Sequence, residues 1–253
     1  MTLGSLPASP ESNDQSRNRS APLELSTWLS LPAATNDIDF ELSSVHIESV
    51  PPEFGERGQA ARQRLLTAAI DELVEHGDLE IAAVARRAGT SVGLPYRYFG
   101  SRSGLLGAVL TDFYDRLDVS VMERKFPGEH WMDRERSRLI AWVNFLYDDP
   151  LTAIVLGRGT GDAEVASVAL GHLQRAIELG TRNMAHGQRT GDVPSDRDPA
   201  LLAAAVLGGV HITVVSAVTA QPRTDRQLVI AELWRFIAGA IGRPEYALEG
   251  AVK

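Results

Sequence analysis

The side chains best suited to chemistry in this chain lie within one short segment, 91–102. Tyr96 and Tyr98 carry hydroxyl groups on rigid rings and Arg102 carries a guanidinium, so all three can donate hydrogen bonds to phosphate oxygens. Small, apolar and basic residues lie among them and would let a helix approach the edges of bases. The residues predicted to face bases are Val92, Gly93, Leu94 and Arg97. Together these residue types indicate binding to nucleic acid.

Two short helices joined by a tight turn are needed to position these side chains. An apolar run ends at Ala88, and Gly89 follows where a left-handed residue would end the first helix. Thr90 or Ser91 can cap the second helix, and Ser91 joins the predicted DNA contacts. The pattern predicts a helix-turn-helix whose second helix enters a major groove. The alternative is a helical hairpin in which the aromatic rings are core residues and the arginines are solvated.

A longer segment, 57–110, resembles the N-terminal domain of TetR-family transcriptional regulators. The matching sequences are RQRLLTAAIDELVEHG, VARRAGTSVGLPYRYF and SRSGLLGAVL. The resemblance implies an all-α homodimer in which three N-terminal helices bind a palindromic operator in double-stranded DNA. It also implies a larger C-terminal helical domain that dimerises and holds a small-molecule effector. We therefore expect a ligand-responsive regulator, a repressor that the effector releases from DNA.

Two positions depart from the family pattern. Glu80 stands where relatives carry a threonine that caps the helix and touches a phosphate, which leaves capping to Asp78. Pro95 replaces a large apolar residue and removes one amide donor, which is tolerable near the first turn of a helix. These departures and the acidic balance of the chain keep a second hypothesis open. In it, the chain is a helical small-molecule-binding or partner-binding protein that has lost specific DNA recognition.

The charge of the chain is unevenly distributed. The net charge is −8 over 253 residues, but the segment 57–105 carries seven arginines against five acidic residues. The segment 1–53 is acidic, rich in Ser and Pro and without helical periodicity, so we predict a disordered tail. The tail is interpreted as an inert leader; the alternative is competition with DNA for the arginines. Without cysteines or a secretory leader pattern, the chain is expected to be cytoplasmic and to need no cofactor.

Helical periodicity continues to the end of the chain, with no alternation typical of a strand. We predict a helix-turn-helix domain over 54–105, a helical ligand-binding and dimerisation domain over 106–245, and a C-terminal tail over 246–253. The predicted helices cover Ala60–His76, the two short helices of the motif, about 105–124, 132–147, a short helix after Pro150, 163–188, 199–220 and 225–241.

The C-terminal helices supply a candidate pocket and a candidate dimer interface. An apolar helix face bordered by a few polar side chains would suit a largely apolar effector. The predicted ligand-binding residues are Trp142, Phe145, His172, Ile177, Asn183, Met184 and His211; the alternative is that each is an ordinary core residue. By the family resemblance, the last two long helices would form a four-helix dimer interface. Its predicted residues are Gly208, Gly209, Leu233, Trp234, Ile237 and Ile241.

Membrane and enzyme functions are disfavoured. The uncharged run 200–220 is long enough to span a bilayer, but its glycines and hydroxyl residues favour a core helix buried on all sides. His172 and His186 share a helix face but lie about 21 Å apart along its axis, too far for one metal ion. The sequence GSRSG places serines beside its centre and is no nucleophile elbow. We therefore predict that the chain is not an enzyme and holds no metal.

Overall fold

The computed structural model describes residues 55–157 and 163–247, and within them all regular structure is helical. This confirms the predicted all-α fold class. The helices are α1 (Glu56–His76), α2 (Ile81–Arg87), α3 (Gly93–Phe99), α4 (Arg102–Leu117), α5 (Trp131–Asp148), α6 (Thr152–Gly157), α7 (Ala163–Thr190), α8 (Pro199–Thr219) and α9 (Arg226–Ala240). A 3₁₀ turn follows over Pro244–Ala247.

Three of the described helices begin at a short polar residue that caps them. Ser101 caps α4, because its hydroxyl accepts a hydrogen bond from the Gly104 amide at 2.8 Å. Asp198 accepts hydrogen bonds from the first amides of α8, and Asp225 accepts one from Leu228 at the start of α9. Each cap satisfies amides that have no partner inside the helix, which stabilises a helix end by about 1 kcal/mol. These caps explain why the predicted boundaries lie close to the observed ones.

The predicted helix over 105–124 changes type before it ends. Its α-helical part stops at Leu117, and Asp118–Met122 continue as one turn of π-helix. The turn is closed by the Glu123 amide, which donates to the Asp118 carbonyl at 2.9 Å. Single π-helical turns are rare and often occur at functional sites. Helix α4 packs on both α1 and α7, so it connects the helix-turn-helix to the C-terminal helices, and the π-helical turn lies at its end.

One hydrophobic core runs through the described helices. In the N-terminal part it includes Leu65, Val84 and Phe113, and in the C-terminal part it includes Trp131 and Val210. Helix α7 packs along α8 on one side and along α4 on another. The predicted tail over 1–53 and most of the C-terminal tail lie outside the described residues, and the domain boundaries stay predictions.

Helix α8 is long and apolar enough to cross a membrane, and among the described helices it alone meets that test. Only 39% of its apolar window is buried, so one chain alone does not bury this helix on all sides as predicted. One side packs against α7 and α9, whereas Leu201, Ala205 and Ile212 lie exposed. These exposed residues lie on one face, because they are spaced by whole turns of the helix. The helix therefore has a free apolar face on an otherwise packed element.

Candidate functional site

The turn between α2 and α3 holds the candidate recognition helix, α3, at a fixed angle. Gly89 has a left-handed φ of 66°, as predicted for the residue that ends α2. The Thr90 amide donates to the Ala85 carbonyl at 2.9 Å, and the Leu94 amide donates to the Ser91 carbonyl at 3.0 Å. The backbone therefore closes the turn.

Side-chain capping at this motif differs from the prediction. The residue that precedes α3 is Val92, and neither Thr90 nor Ser91 caps the helix. The Thr90 hydroxyl instead lies 3.4 Å from the Ala85 carbonyl. Glu80 precedes α2 without a side-chain cap, and the Asp78 carboxylate is engaged by Arg102.

The exposed side of α3 matches most of the predicted base-facing set. Ser91, Val92, Gly93 and Arg97 are exposed, and Tyr96 joins them with 49% of its surface accessible. A helix with these residues outward can lie in a major groove, because small and apolar residues allow close approach.

The remaining residues of the recognition helix turn inward. Leu94 and Tyr98 are partly buried against the core, and the prediction that Leu94 faces bases stays untested. Pro95 is buried in the first turn of α3, where the missing amide leaves the helix intact.

The arginines of this domain divide into free and engaged side chains. Among the described residues, Arg97 has no hydrogen-bond or ion-pair partner, and it is exposed. Arg87 donates to Glu75 at 2.5 Å and to Glu72 at 3.3 Å. Arg102 donates through Nε to the Leu79 carbonyl at 2.9 Å and through Nη2 to Asp78 at 2.6 Å. The predicted phosphate ligand Arg102 is therefore held by the protein itself and ties the start of α4 to the loop before α2.

A cavity of about 130 Å³ lies between α5, α7, α8 and α9. Three of the predicted ligand-binding residues line it: Trp142, Asn183 and Met184. The other four do not line this cavity, and their part in ligand binding stays a prediction. Phe145 packs on Phe113 with ring centroids 5.5 Å apart, His172 stacks on Tyr114, and Ile177 and His211 are half-buried between helices.

Sequence analysis found Trp142 but missed the other residues of the cavity wall that α5 provides. The wall residues Trp131, Glu135, Arg138 and Trp142 recur every three or four positions and share one helix face. The periodicity that predicted α5 could have found this set. The prediction instead followed the apolar stripe alone and passed over the charged pair.

Polar groups in this cavity are already paired with one another. The Trp131 indole donates to Asn183 Oδ1 at 3.1 Å, and Arg138 Nε donates to Glu135 Oε1 at 3.2 Å. Arg138 Nη1 also donates to the Val121 carbonyl at 2.8 Å and to the Met122 carbonyl at 3.3 Å. One guanidinium thus contacts both the cavity and the π-helical end of α4.

The predicted dimer residues of α9 lie inside the protomer. Leu233, Trp234, Ile237 and Ile241 are buried in its core, so they cannot contact a second copy, and the prediction is corrected. An apolar stripe shows that a helix packs, but it does not identify the partner. Gly209 is covered by the Phe236 ring, because a Cβ there would lie 2.6 Å from it.

The exposed apolar residues of α8 and α9 form a different surface, here called the α8/α9 face. It carries small residues beside large apolar ones. Most large apolar side chains are buried in a protein core, whereas these are exposed. Its residues are Leu201 (73% exposed), Ala205, Gly208, Ile212 (60%), Leu228 and Phe236.

Comparison with known sequences agrees with this geometry. The family model described as bacterial regulatory proteins, tetR family, matches residues 65–109, from α1 to α4. The HTH-type transcriptional regulator BetI of Klebsiella pneumoniae is 40% identical over 86 residues, which are 33% of this chain and 44% of that protein. BetI of Escherichia coli is 34% identical over 86 residues. The chain thus covers less than half the length of these relatives.

Solved structures share the helical architecture. SmeT, the repressor of the Stenotrophomonas maltophilia multidrug efflux pump SmeDEF, has a TM-score of 0.59 at 19% identity over 73% of this chain and 92% of that chain. FadR from Bacillus subtilis, solved with stearoyl-CoA, has a TM-score of 0.57 at 16% identity over 72% of this chain and 98% of that chain. At such identities the likeness shows the fold.

An N-terminal helix-turn-helix followed by packed C-terminal helices defines the structural class of this protein. Over helices α1 to α4 the chain is similar to the tetR family of bacterial regulatory proteins, which confirms the predicted resemblance for this segment. The matched family model is described as one of regulatory proteins, and the absence of enzymatic activity stays a prediction.

Proposed function

We propose that this protein is a ligand-responsive, sequence-specific DNA-binding transcriptional regulator. It acts in the cytoplasm as a homodimeric repressor that a small, largely apolar effector releases from a palindromic operator. The observation that carries the proposal is the exposed side of α3, where Arg97 has no partner among the described residues. An unpaired guanidinium on a helix that can enter a major groove is suited to the O6 and N7 atoms of guanine.

Selection from a random DNA library tests sequence-specific binding directly. Purified protein would be incubated with the library at several salt concentrations and with excess competitor DNA, and the bound sequences read. Two enriched half-sites about one helical turn apart are expected. Failure to enrich any sequence would instead favour the second hypothesis, a helical binding protein without specific DNA recognition. Two observations favour this second hypothesis: Glu80 is exposed, and Arg102 is already paired with Asp78.

The α8/α9 face supports homodimerisation. Large apolar side chains exposed together mark an interaction surface, and small residues such as Ala205 and Gly208 allow close helix approach. A second copy of this chain is the proposed occupant. Two recognition helices would then be available to the two half-sites of a palindrome.

The 130 Å³ cavity supports the effector response. Its walls are mostly apolar, and its polar side chains are paired in the absence of ligand, so an apolar molecule can enter without leaving charges unpaired. A screen of small apolar compounds would measure the rise in melting temperature and then release of the selected DNA. Compounds that bind without releasing DNA would contradict the effector role.

A further inference from the structure

A second cavity lies between α4 and α7 and shares no residue with the effector cavity. Its volume is about 320 Å³. The side of α4 with its π-helical turn contributes hydroxyl and acidic residues, and α7 contributes a histidine and an arginine. Its polar lining residues are Thr111, Tyr114, Asp115, Asp118, Glu123, His172 and Arg175. This α4–α7 cavity plays no part in the function proposed above.

Asp118 is the most unusual group in this lining. Its side chain is nine-tenths buried, and its Oδ1 atom accepts no hydrogen bond from any residue that the structure describes. The nearest basic atom to Oδ1 is His172 Nδ1 at 3.7 Å, too far for a hydrogen bond. Burial holds the pKa of His172 down to about 4, so this imidazole carries no charge at neutral pH. A buried carboxylate that lacks a donor costs free energy, and a bound donor would recover it.

The charges around the α4–α7 cavity favour a cation. Asp115 lies one helical turn from Asp118 on the same side of α4, and Glu123 joins them at the end of the π-helical turn. Against these three carboxylates stands one cationic lining side chain, Arg175. Its Nε lies 3.4 Å from Asp118 Oδ2, and its Nη2 donates to Glu123 at 2.7 Å. The lining residues therefore retain two negative charges.

Arg175 indicates which kind of ligand the carboxylates of this cavity can bind. Its guanidinium bears N–H donors and lies over two carboxylates, yet 59% of its side chain is exposed. A long exposed side chain can swing into solvent at little cost. A ligand with ammonium groups could then take its place at Asp118 and Glu123.

We propose that the α4–α7 cavity binds a small aliphatic diamine or polyamine, whose N–H groups hydrogen-bond to Asp118. A quaternary ammonium ion would satisfy the charge but has no N–H to donate. The stacked rings of Tyr114 and His172, with centroids 4.0 Å apart, form the apolar wall against which the methylene chain packs.

Isothermal titration of the full chain with spermidine, without DNA and at constant ionic strength, tests the proposal. Saturable binding of one spermidine per chain is expected, with tetramethylammonium at least tenfold weaker. Asp118→Asn should weaken spermidine binding at least tenfold, because the amide keeps the shape and removes the charge. Arg175→Gln should strengthen it severalfold, because the internal competitor is gone.

Glu129→Gln is the matched control, since it removes an exposed carboxylate that lines neither cavity and should leave spermidine binding unchanged, and circular dichroism would show that each variant folds. No saturable binding, unchanged binding by Asp118→Asn, weaker binding by Arg175→Gln, or equal binding of tetramethylammonium would each overturn the proposal. Because the titration contains no DNA, its result does not depend on the proposed regulator function.

Discussion

At the scale of residues, hydrogen-bond and ion-pair partners distinguish side chains that look equivalent in the sequence. Arg97 and Arg102 are both arginines in the matched segment, and both were predicted to contact DNA. Arg97 has no partner among the described residues, whereas Arg102 bridges Asp78 and the Leu79 carbonyl. Sequence shows the charge of a side chain but not whether the protein already uses it. The difference has consequences for both stability and DNA binding.

Replacement of these two arginines should therefore give different results. Arg97→Ala is expected to weaken operator binding by about 1–3 kcal/mol and to relax specificity at one base pair, with little change in melting temperature. Arg102→Ala is expected to lower the melting temperature as well, because it frees the loop before α2. Binding titrations and thermal unfolding measure both effects, with the exposed Arg182→Ala on α7 as control. A stable Arg102→Ala with normal DNA binding would contradict both roles.

His172 should make stability depend on pH. Burial lowers its pKa from 6.5 to about 4. Between these two pH values His172 is therefore protonated in the unfolded chain and neutral in the folded protein. Stability should therefore fall with decreasing pH across that window, by up to about 3 kcal/mol at pH 4. His211 on α8, whose pKa burial also lowers, acts in the same direction.

A comparison of variants isolates the contribution of His172. Asp118, whose pKa burial raises, acts in the opposite direction. Urea unfolding of His172→Gln between pH 7 and pH 4.5 should show a flatter dependence than the unsubstituted protein. The exposed His186→Gln on the same helix should leave the slope unchanged. Equal slopes for all three proteins would refute the assignment to His172.

At the scale of elements, periodicity and capping residues predicted the helices well. Gly89 marked the end of α2, and Asp198 and Asp225 precede helices where expected. What periodicity could not supply was the neighbour of each apolar stripe. Trp234 and Ile237 pack inside the protomer, and the exposed apolar residues are others. For the same reason only some residues of the 130 Å³ cavity were predicted correctly. Trp142 and Met184 line it, whereas His172 lines the α4–α7 cavity.

The α8/α9 face makes the assembly testable at this scale. Ile212→Glu places a charge where the proposed second copy buries an apolar residue, so it should shift the protein from dimer to monomer. The helix itself should remain, because Ile212 contributes little to the protomer core. Sedimentation equilibrium measures the shift. Val74→Glu, an exposed apolar position on α1, is the control; a dimeric Ile212→Glu would move the interface elsewhere.

At the scale of the whole molecule, the charge distribution governs how the chain meets DNA. The net charge is −8, yet the matched segment is basic and the first 56 residues carry nine acidic side chains against two basic ones. Weak general attraction to DNA is expected from such a balance, and strong dependence on salt, because each phosphate contact releases a counterion. Specificity must then come from a few contacts on α3.

Removal of residues 1–53 tests whether the acidic segment takes part in binding. We expect operator affinity within twofold of the full chain at physiological salt, because salt at that concentration weakens interactions between exposed charges. Fluorescence anisotropy with the selected operator measures the difference. A tenfold gain in affinity would mean that the segment competes with DNA for the arginines.

Arg138 links the proposed effector cavity to the end of the helix that reaches the DNA-binding domain. It lines the cavity and donates to the Val121 and Met122 carbonyls in the π-helical turn after α4. If effector and operator act on that shared group in opposite ways, each must weaken the other's binding by the same factor. The dose of effector that releases the protein would then rise with the number of operator copies in the cell. Sensitivity of the regulated genes would be a property of the genome that carries the sites as well as of the protein.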